Sequence, residues 1–171
     1  MRVSVRQRFL RNVTLAFAFI LLILGSSPAQ SQEYQALQGL KGLNTVFDYG
    51  HASPEAALVI FPAIRGVYQS KSVTSLPNPP KTVIVFHDAA VKFLSTERQG
   101  SKEENDTRDK VAEMIRQLKK DGVKMEVCMY AVKVFDVDPD TIMPEIEKVE
   151  NGWVSVSGYQ AQDYSLVAIP E

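Results

Sequence analysis

The chain is poor in cysteine, and this scarcity is the first constraint on what it can be. Cys128 is the one cysteine among 171 residues, so no intrachain disulfide can form and the chain is not a small disulfide-built domain. Histidine is almost as rare, since His51 and His87 are the two present. These three residues have no local zinc-ligand spacing, and we therefore predict no metal site.

Several sequence patterns of common enzymes and nucleic-acid-binding proteins are also missing. No glycine-rich phosphate loop follows a predicted strand and no G-x-S-x-G sequence occurs, which argues against P-loop chemistry and a serine-hydrolase triad. Residues 1–29 hold four of the 19 basic residues and none of the 20 acidic ones, so the remainder has a net charge of −5. Such a mildly acidic domain has no excess of positive charge with which to bind nucleic acid, and we predict no nucleic-acid partner.

The one long apolar run lies near the N-terminus. Four arginines precede residues 13–24, an apolar stretch shorter than the about 20 residues that span a bilayer. Small residues follow, including Ala29 and Ser31, as at a signal-peptidase site. We predict a signal peptide over residues 1–29, cleavage between residues 29 and 31, export to the periplasm by the general secretion route, and no stable membrane anchor afterwards. An uncleaved N-terminal anchor is the alternative.

The rest of the chain alternates between strand and helix patterns after a lead-in segment, residues 30–43. Apolar β-branched runs predict strands and amphipathic runs predict helices, over residues 44–51 (strand), 52–70 (helix), 81–88 (strand), 89–95 (helix), 106–122 (helix), 123–128 (strand), 129–135 (helix), 147–150 (strand), 151–162 (helix) and 164–170 (strand). This order predicts a single three-layer α/β domain over residues 44–171, with a mostly parallel sheet of about five strands and helices on both faces.

Two breaks in regularity accompany this pattern. Pro62 lies inside the first predicted helix, where it predicts a kink or a break. Residues 96–106 are polar and charged, which predicts a solvated loop before the long helix.

Cys128 and His87 occupy corresponding places in the predicted sheet. Each stands near the end of a strand and just before a helix. Parallel α/β sheets bind ligands beyond the carboxyl ends of their strands, at the switch point in strand order, and a helix N-terminus favours the thiolate form of a nearby cysteine. Two interpretations of Cys128 remain open: a reactive thiol, or a buried core residue, as lone cysteines usually are. His87 is likewise either ligand-facing or structural.

The cysteine-bearing segment DGVKMEVCMYAVKVFDVD, residues 121–138, resembles the DsrE/DsrF-like proteins of bacterial sulfur relay. It combines a helix end, a short strand, one cysteine, a short helix and a turn, as members of that family do around their sulfur-accepting cysteine. Residues 46–58, 81–94 and 152–169 resemble other strand-helix units of the family. The resemblance therefore covers nearly the whole predicted mature chain and implies the DsrE/DsrF-like fold.

The resemblance also implies a function. It implies a sulfurtransferase or sulfur carrier that accepts sulfane sulfur as a persulfide on Cys128, without a metal or organic cofactor. His87, Met129, Tyr130 and Lys133 are then the residues expected to contact the sulfur substrate. As partners, the resemblance implies further copies of the same chain, in a homo-oligomeric trimer or hexamer, and a sulfur donor or acceptor protein.

One departure from the family pattern supports a second hypothesis. Val134 and Phe135 stand where sulfur-relay members often carry basic residues, and Met129 and Tyr130 are larger than the residues that usually follow the cysteine. Apolar surroundings disfavour a thiolate. The alternative is therefore a non-catalytic periplasmic binding or oligomeric assembly module that keeps the fold without sulfur transfer.

Overall fold

The computed structural model describes residues 34–170, and these form a five-stranded sheet flanked by helices. The predicted signal peptide, residues 1–29, lies outside the described residues. Every strand pairing is parallel and the strand order is β4-β3-β2-β1-β5. The strands are β1 (Asn44–Tyr49), β2 (Lys81–Phe86), β3 (Lys124–Cys128), β4 (Glu147–Val149) and β5 (Ser165–Ile169).

Helices connect these strands, as parallel pairing requires. They are α1 (Pro54–Gln69), α2 (Lys71–Thr74), α3 (Lys102–Lys120), α4 (Met129–Val134) and α5 (Gly152–Gln160), with 3₁₀ segments at Gln35–Leu37, Asp88–Leu94 and Pro139–Thr141. The predicted α/β class and parallel five-stranded sheet are confirmed. None of the helices in the described part of the chain is long and apolar enough to cross a membrane.

The two faces of the sheet are covered by different helices. The larger core lies between the sheet and helices α1 and α3, and it contains the buried side chains of Phe47, Tyr49, Ile84, Phe86 and Met125. The opposite face, here called the α5 face, is covered by α5 and has a small core of Val46, Val83, Val85 and Val156. Strand β2 lies between β1 and β3 and is buried from both sides, which explains its continuous apolar run.

The structure corrects two of the local predictions. Of the kink or break predicted at Pro62, the break does not occur, because helix α1 continues through this residue. Pro62 is exposed, and water can satisfy the carbonyl that loses its helical donor. The loop predicted over residues 96–106 is wrong from residue 102 onward, because α3 begins there. Ser101 accepts a hydrogen bond from the Glu104 backbone N–H while the Glu104 carboxylate accepts one from the Ser101 backbone N–H. This capping box is written in the sequence as S-K-E-E.

Candidate functional site

Residues that follow or end β2 and β3 line one small cavity at the carboxyl edge of the sheet. The cavity has a volume of about 60 Å³ and brings His87 and Cys128 together. Its remaining lining residues are Asp88, Tyr130, Ala131, Val134, Phe135, Asn151 and Trp153. The cavity lies at the ends of the adjacent strands β2 and β3. The switch point in the strand order is at β1, which lies between β2 and β5. The predicted position at the carboxyl ends is thus observed, but away from the switch point.

Two carboxylates hold the His87 ring in place. Its Nδ1 lies 2.8 Å from Oδ2 of Asp88, and its Nε2 lies 2.7 Å from Oδ1 of Asp48. The second contact is close in distance but poorly directed, since both of those buried atoms lack a hydrogen bond of good geometry. A ring nitrogen that carries a proton can donate it to the carboxylate oxygen beside it. The arrangement makes His87 an oriented part of the cavity wall rather than a free base.

The backbone beside His87 is arranged to keep this contact. The His87 N–H donates to the carbonyl of Tyr49 at 3.0 Å, which continues the strand pairing by one residue. Asp88 has a φ of 49°, a left-handed conformation that aspartate and asparagine tolerate better than most residues. A Cβ on Gly50 would lie 3.0 Å from Cε1 of His87. A side chain at position 50 would therefore force the ring to shift by a few tenths of an ångström, which glycine avoids.

Cys128 ends β3 and is tightly packed. Its side chain is buried, with 5% of the residue exposed, and its strand neighbour is Val149 of β4. A Cβ on Gly152 would lie 3.0 Å from Cβ of Cys128 and 3.1 Å from Cγ1 of Val85. The first turn of α5 is thus pressed against the cysteine, and the thiol is reached through the small cavity.

The N-terminus of α4 follows Cys128 directly, as predicted. The cysteine takes the N-cap position but its side chain makes no capping hydrogen bond. The backbone N–H of Tyr130 donates to the carbonyl of Glu150 at 3.1 Å, so at least one N–H of the first turn is already used. The short helix thus offers fewer free N–H groups to a thiolate than the sequence alone led us to expect.

The structure brings together three of the five predicted site residues. Cys128, His87 and Tyr130 line the cavity. Met129 packs against the larger core, and Lys133 is exposed; neither belongs to the lining. The role of each in sulfur chemistry stays a prediction.

Several neighbours were not predicted. Asp88 and Asp48 contact His87, and Trp153 and Asn151 contribute from the start of α5. Asp88 could have been found from the adjacent letters H-D in the sequence. Asp48 and the α5 residues come close only through the pairing of the strands and the docking of α5, for which the sequence has no local signal.

The cavity has an uneven distribution of charge and polarity. Within the described residues its lining holds no lysine and no arginine, and its titratable members besides Cys128 and Tyr130 are His87 and Asp88. At its mouth, Tyr130, Val134 and Trp153 are 63%, 59% and 62% exposed. An acidic wall therefore lies beside an exposed apolar rim.

No metal-binding arrangement is found in the part of the chain that the structure describes. There, no group of three or more His, Cys, Asp and Glu side chains is placed to hold a metal ion. His51 is engaged at the start of α1, where its Nδ1 accepts a hydrogen bond from the backbone N–H of Ser53 at 3.2 Å.

This protein is therefore a parallel α/β protein with a cavity at the carboxyl edge of its sheet, and its cysteine lies in that cavity where a strand is followed by a helix. The sequence model of the DsrE/DsrF-like family matches residues 20–169. The chain belongs to the DsrE/DsrF-like family, which is associated with sulfur relay.

Solved structures show the same fold at low sequence identity. MTH1491 from Methanobacterium thermoautotrophicum, described as a protein of unknown function, is 13% identical with a TM-score of 0.57, over 74% of this chain and 99% of that chain. The ychN protein from E. coli is 9% identical with a TM-score of 0.52, over 76% of this chain and 100% of that chain. No curated protein matches the chain significantly.

Proposed function

We propose that this protein is an exported carrier of sulfane sulfur that holds the sulfur as a persulfide on Cys128. The observation that supports this proposal is that the one cysteine opens into a cavity shared with an oriented histidine, in a chain of the DsrE/DsrF-like family. The Cys128 thiolate would form a bond to the sulfane sulfur of a donor. The donor's S–S bond would break and its electron pair would leave with the donor thiolate, so the transfer involves no net oxidation.

The neighbouring residues suit different parts of this task. Gly152 packs against Cys128 and closes one side of the cysteine, so the sulfur is reached through the cavity. His87, held between its two carboxylates, would orient the terminal sulfur or donate a proton to it.

Intact-mass measurement tests the proposal directly. After incubation with a sulfane donor, the native protein should gain about 32 Da, the mass of one sulfur, and the gain should be absent in Cys128→Ser. His87→Ala should slow the gain without abolishing it. Val59→Ala, an exposed change on α1, is the matched control and should behave as the unchanged protein. A native protein that gains no sulfur from any donor would reject the proposal.

The burial of Cys128 supports a second candidate, a non-catalytic binding or assembly module. Cys128 is 5% exposed and packs with the larger core, as an inert core cysteine would. This candidate expects Cys128 to resist alkylation until the protein unfolds, and expects Cys128→Ser to lower stability by burying a hydroxyl. A sulfur carrier instead expects alkylation in the native state, so the alkylation rate separates the two functions.

Export and assembly are further parts of the proposal. Protein isolated from its native host should lack the first 29 to 31 residues, and full-length protein in the membrane fraction would contradict export. Exposed apolar side chains outside the cavity lining, Val154 of α5 and Leu166 and Val167 of β5, favour a homo-oligomer, and the resemblance to the family makes a trimer or hexamer the expected state. Light scattering that shows a monomer at micromolar concentration would contradict assembly.

A further inference from the structure

We infer that the cavity at Cys128 selects its sulfur donor by charge. Its donor would be an organic persulfide whose carbon end is uncharged and apolar, in preference to anionic inorganic polysulfide. The inference rests on the proposed sulfur-carrier function and adds the class of substrate to it. Three features of the cavity carry it: the charge of its wall, the character of its mouth and its volume.

The charge of the wall disfavours anions. The His87 ring contributes at most one positive charge, and it lies within 2.8 Å of two carboxylates, Asp48 and Asp88. Lys92 lies 5.2 Å from the ring centroid of Phe135, but it lines a neighbouring cavity and not this one. Of the two carboxylates, Asp88 lines the cavity and Asp48 contacts the far side of the ring from outside the lining. An anionic donor would therefore meet no lysine or arginine in the lining, and the Asp88 carboxylate would repel it.

The mouth of the cavity favours an apolar group. Tyr130, Val134 and Trp153 line it and are each more than half exposed. A donor with an apolar carbon chain would remove part of this aromatic and aliphatic surface from water, which is favourable in proportion to the area covered. Inorganic polysulfide has no carbon chain and cannot gain from this contact.

The cavity is large enough for only one part of the donor. A water molecule needs about 10–15 Å³ of such space, and the cavity offers about 60 Å³. The terminal sulfurs of a persulfide can enter this space, whereas a carbon chain must stay at the rim. The sulfur is thus placed next to Cys128 while the carbon end is recognised outside.

The transfer step keeps atoms and electrons in balance. The Cys128 thiolate forms a bond to the outer sulfur of R–S–SH, and the bond between that sulfur and R–S breaks. The electron pair leaves with R–S⁻, the proton stays on the transferred sulfur, and Cys128 becomes the persulfide. No oxidant or reductant is required.

Two disulfide reagents of different charge test the selection independently of sulfur transfer. We would compare the rates at which Cys128 in the full native chain reacts with neutral dithiodipyridine and with dianionic dithiobis(nitrobenzoate). Each rate is divided by the rate of the same protein unfolded in urea. The corrected neutral-to-anionic ratio should be about tenfold or more at low salt, and it should shrink as salt screens the wall.

Single substitutions assign the selection to the named residues. Asp88→Asn should raise the rate with the anionic reagent relative to the rate with the neutral one, because it removes a carboxylate from the lining while asparagine keeps the left-handed backbone. Trp153→Ala should lower the neutral rate and leave the anionic rate unchanged. Val59→Ala is an exposed apolar change on α1, outside the cavity lining, and should alter neither rate. The three substitutions should change the rates of sulfur gain in the same way, with a persulfide of uncharged carbon end in place of the neutral reagent and inorganic polysulfide in place of the anionic one. Intact mass measures these rates.

The possible outcomes separate this inference from the function on which it rests. A native neutral-to-anionic ratio equal to that of the unfolded protein would overturn the charge selection, even if Cys128 still gains one sulfur. A thiol that is inert to both reagents in the native protein would overturn the selection and the carrier function together. A high ratio that falls in Asp88→Asn would support the selection.

Discussion

The two faces of the sheet are stabilised by different kinds of contact. The larger core is aromatic: Tyr49, Phe61, Phe86 and Phe93 lie with neighbouring ring centroids 5.3–6.4 Å apart in tilted or edge-on contacts. The α5 face has a thin valine core and a buried carboxylate, Glu126, which is 4% exposed. The first face is thus held by packing, and the second depends in part on polar contacts.

The polar contacts of the α5 face join the sheet to the helix that covers it. The hydroxyl of Tyr159 on α5 donates to Oε1 of Glu126 at 2.7 Å, and Nζ of Lys124 lies 2.9 Å from the same oxygen. Asp48 and Glu126 have their side chains on this side by strand alternation and register. Cys128, at the end of β3, contacts both Gly152 of α5 and the larger core. The candidate site therefore uses groups from the less heavily covered face, while the larger core supplies the rigid support.

The largest expected loss of stability comes from the aromatic core. Phe86→Ala removes a fully buried ring that contacts Tyr49, Phe61 and Phe93. We expect the free energy of unfolding to fall by about 3–5 kcal/mol, as for other deeply buried phenylalanines. Denaturant unfolding measures it. A loss below about 1 kcal/mol would show that this face is not packed as described.

A smaller loss is expected from the buried carboxylate of the α5 face. Glu126→Ala leaves the Tyr159 hydroxyl without its acceptor, and should lower the free energy of unfolding by about 2–3 kcal/mol. Glu147→Ala removes an exposed carboxylate 3.4 Å from the same lysine, Lys124, and is the matched control, with a change below about 0.5 kcal/mol. Equal effects of the two changes would contradict the stabilising role of the buried contact.

The same carboxylate should make the α5 face sensitive to acid. Burial alone would raise the pKa of Glu126, but hydrogen bonds from Tyr159, Ser155 and Lys124 outweigh it and lower the pKa below the usual value. A lowered pKa stabilises the folded protein above the unfolded-state value, and this stability is lost as pH falls through the folded-state value. The stability difference between the unchanged protein and Glu126→Gln should therefore shrink on acidification, as measured by unfolding at several pH values. A difference that grows in acid would contradict the pKa direction.

The smallest expected effects come from two glycines of α5. Gly152→Ala places a methyl group 3.0 Å from Cβ of Cys128, which should lower stability by about 1–2 kcal/mol and slow alkylation of the thiol. Gly158→Ala has no atom within 4 Å of the new methyl group and should raise stability by about 0.4–1 kcal/mol, because alanine favours the helix. Similar effects at both positions would show that α5 is not pressed against Cys128.

The sequence by itself determined the order of strands and helices. Local patterns show which positions along the chain are buried, and these identify strands and helices. Examples are the continuous apolar run of β2, the helix stop at Gly122 and the strand that ends in Cys128. The same patterns placed His87 and Cys128 at the carboxyl ends of strands. The prediction from sequence was wrong at residues 102–105. Their charged side chains suggested a loop, but the capping box of Ser101 and Glu104 begins a helix there.

Only the tertiary structure decided which groups surround the thiol. Asp48 meets His87 because β1 pairs with β2, and Trp153 and Gly152 reach the cavity because α5 docks across the ends of the strands. These contacts join residues that lie from 24 to about 40 positions apart along the chain, since Gly152 is 24 positions from Cys128 and Asp48 is 39 from His87. Such distances carry no local signal, because helical and strand periodicity describe which face of an element is buried and not which element covers it. The burial of Cys128 and the acidic wall of its cavity were therefore properties of the packed domain.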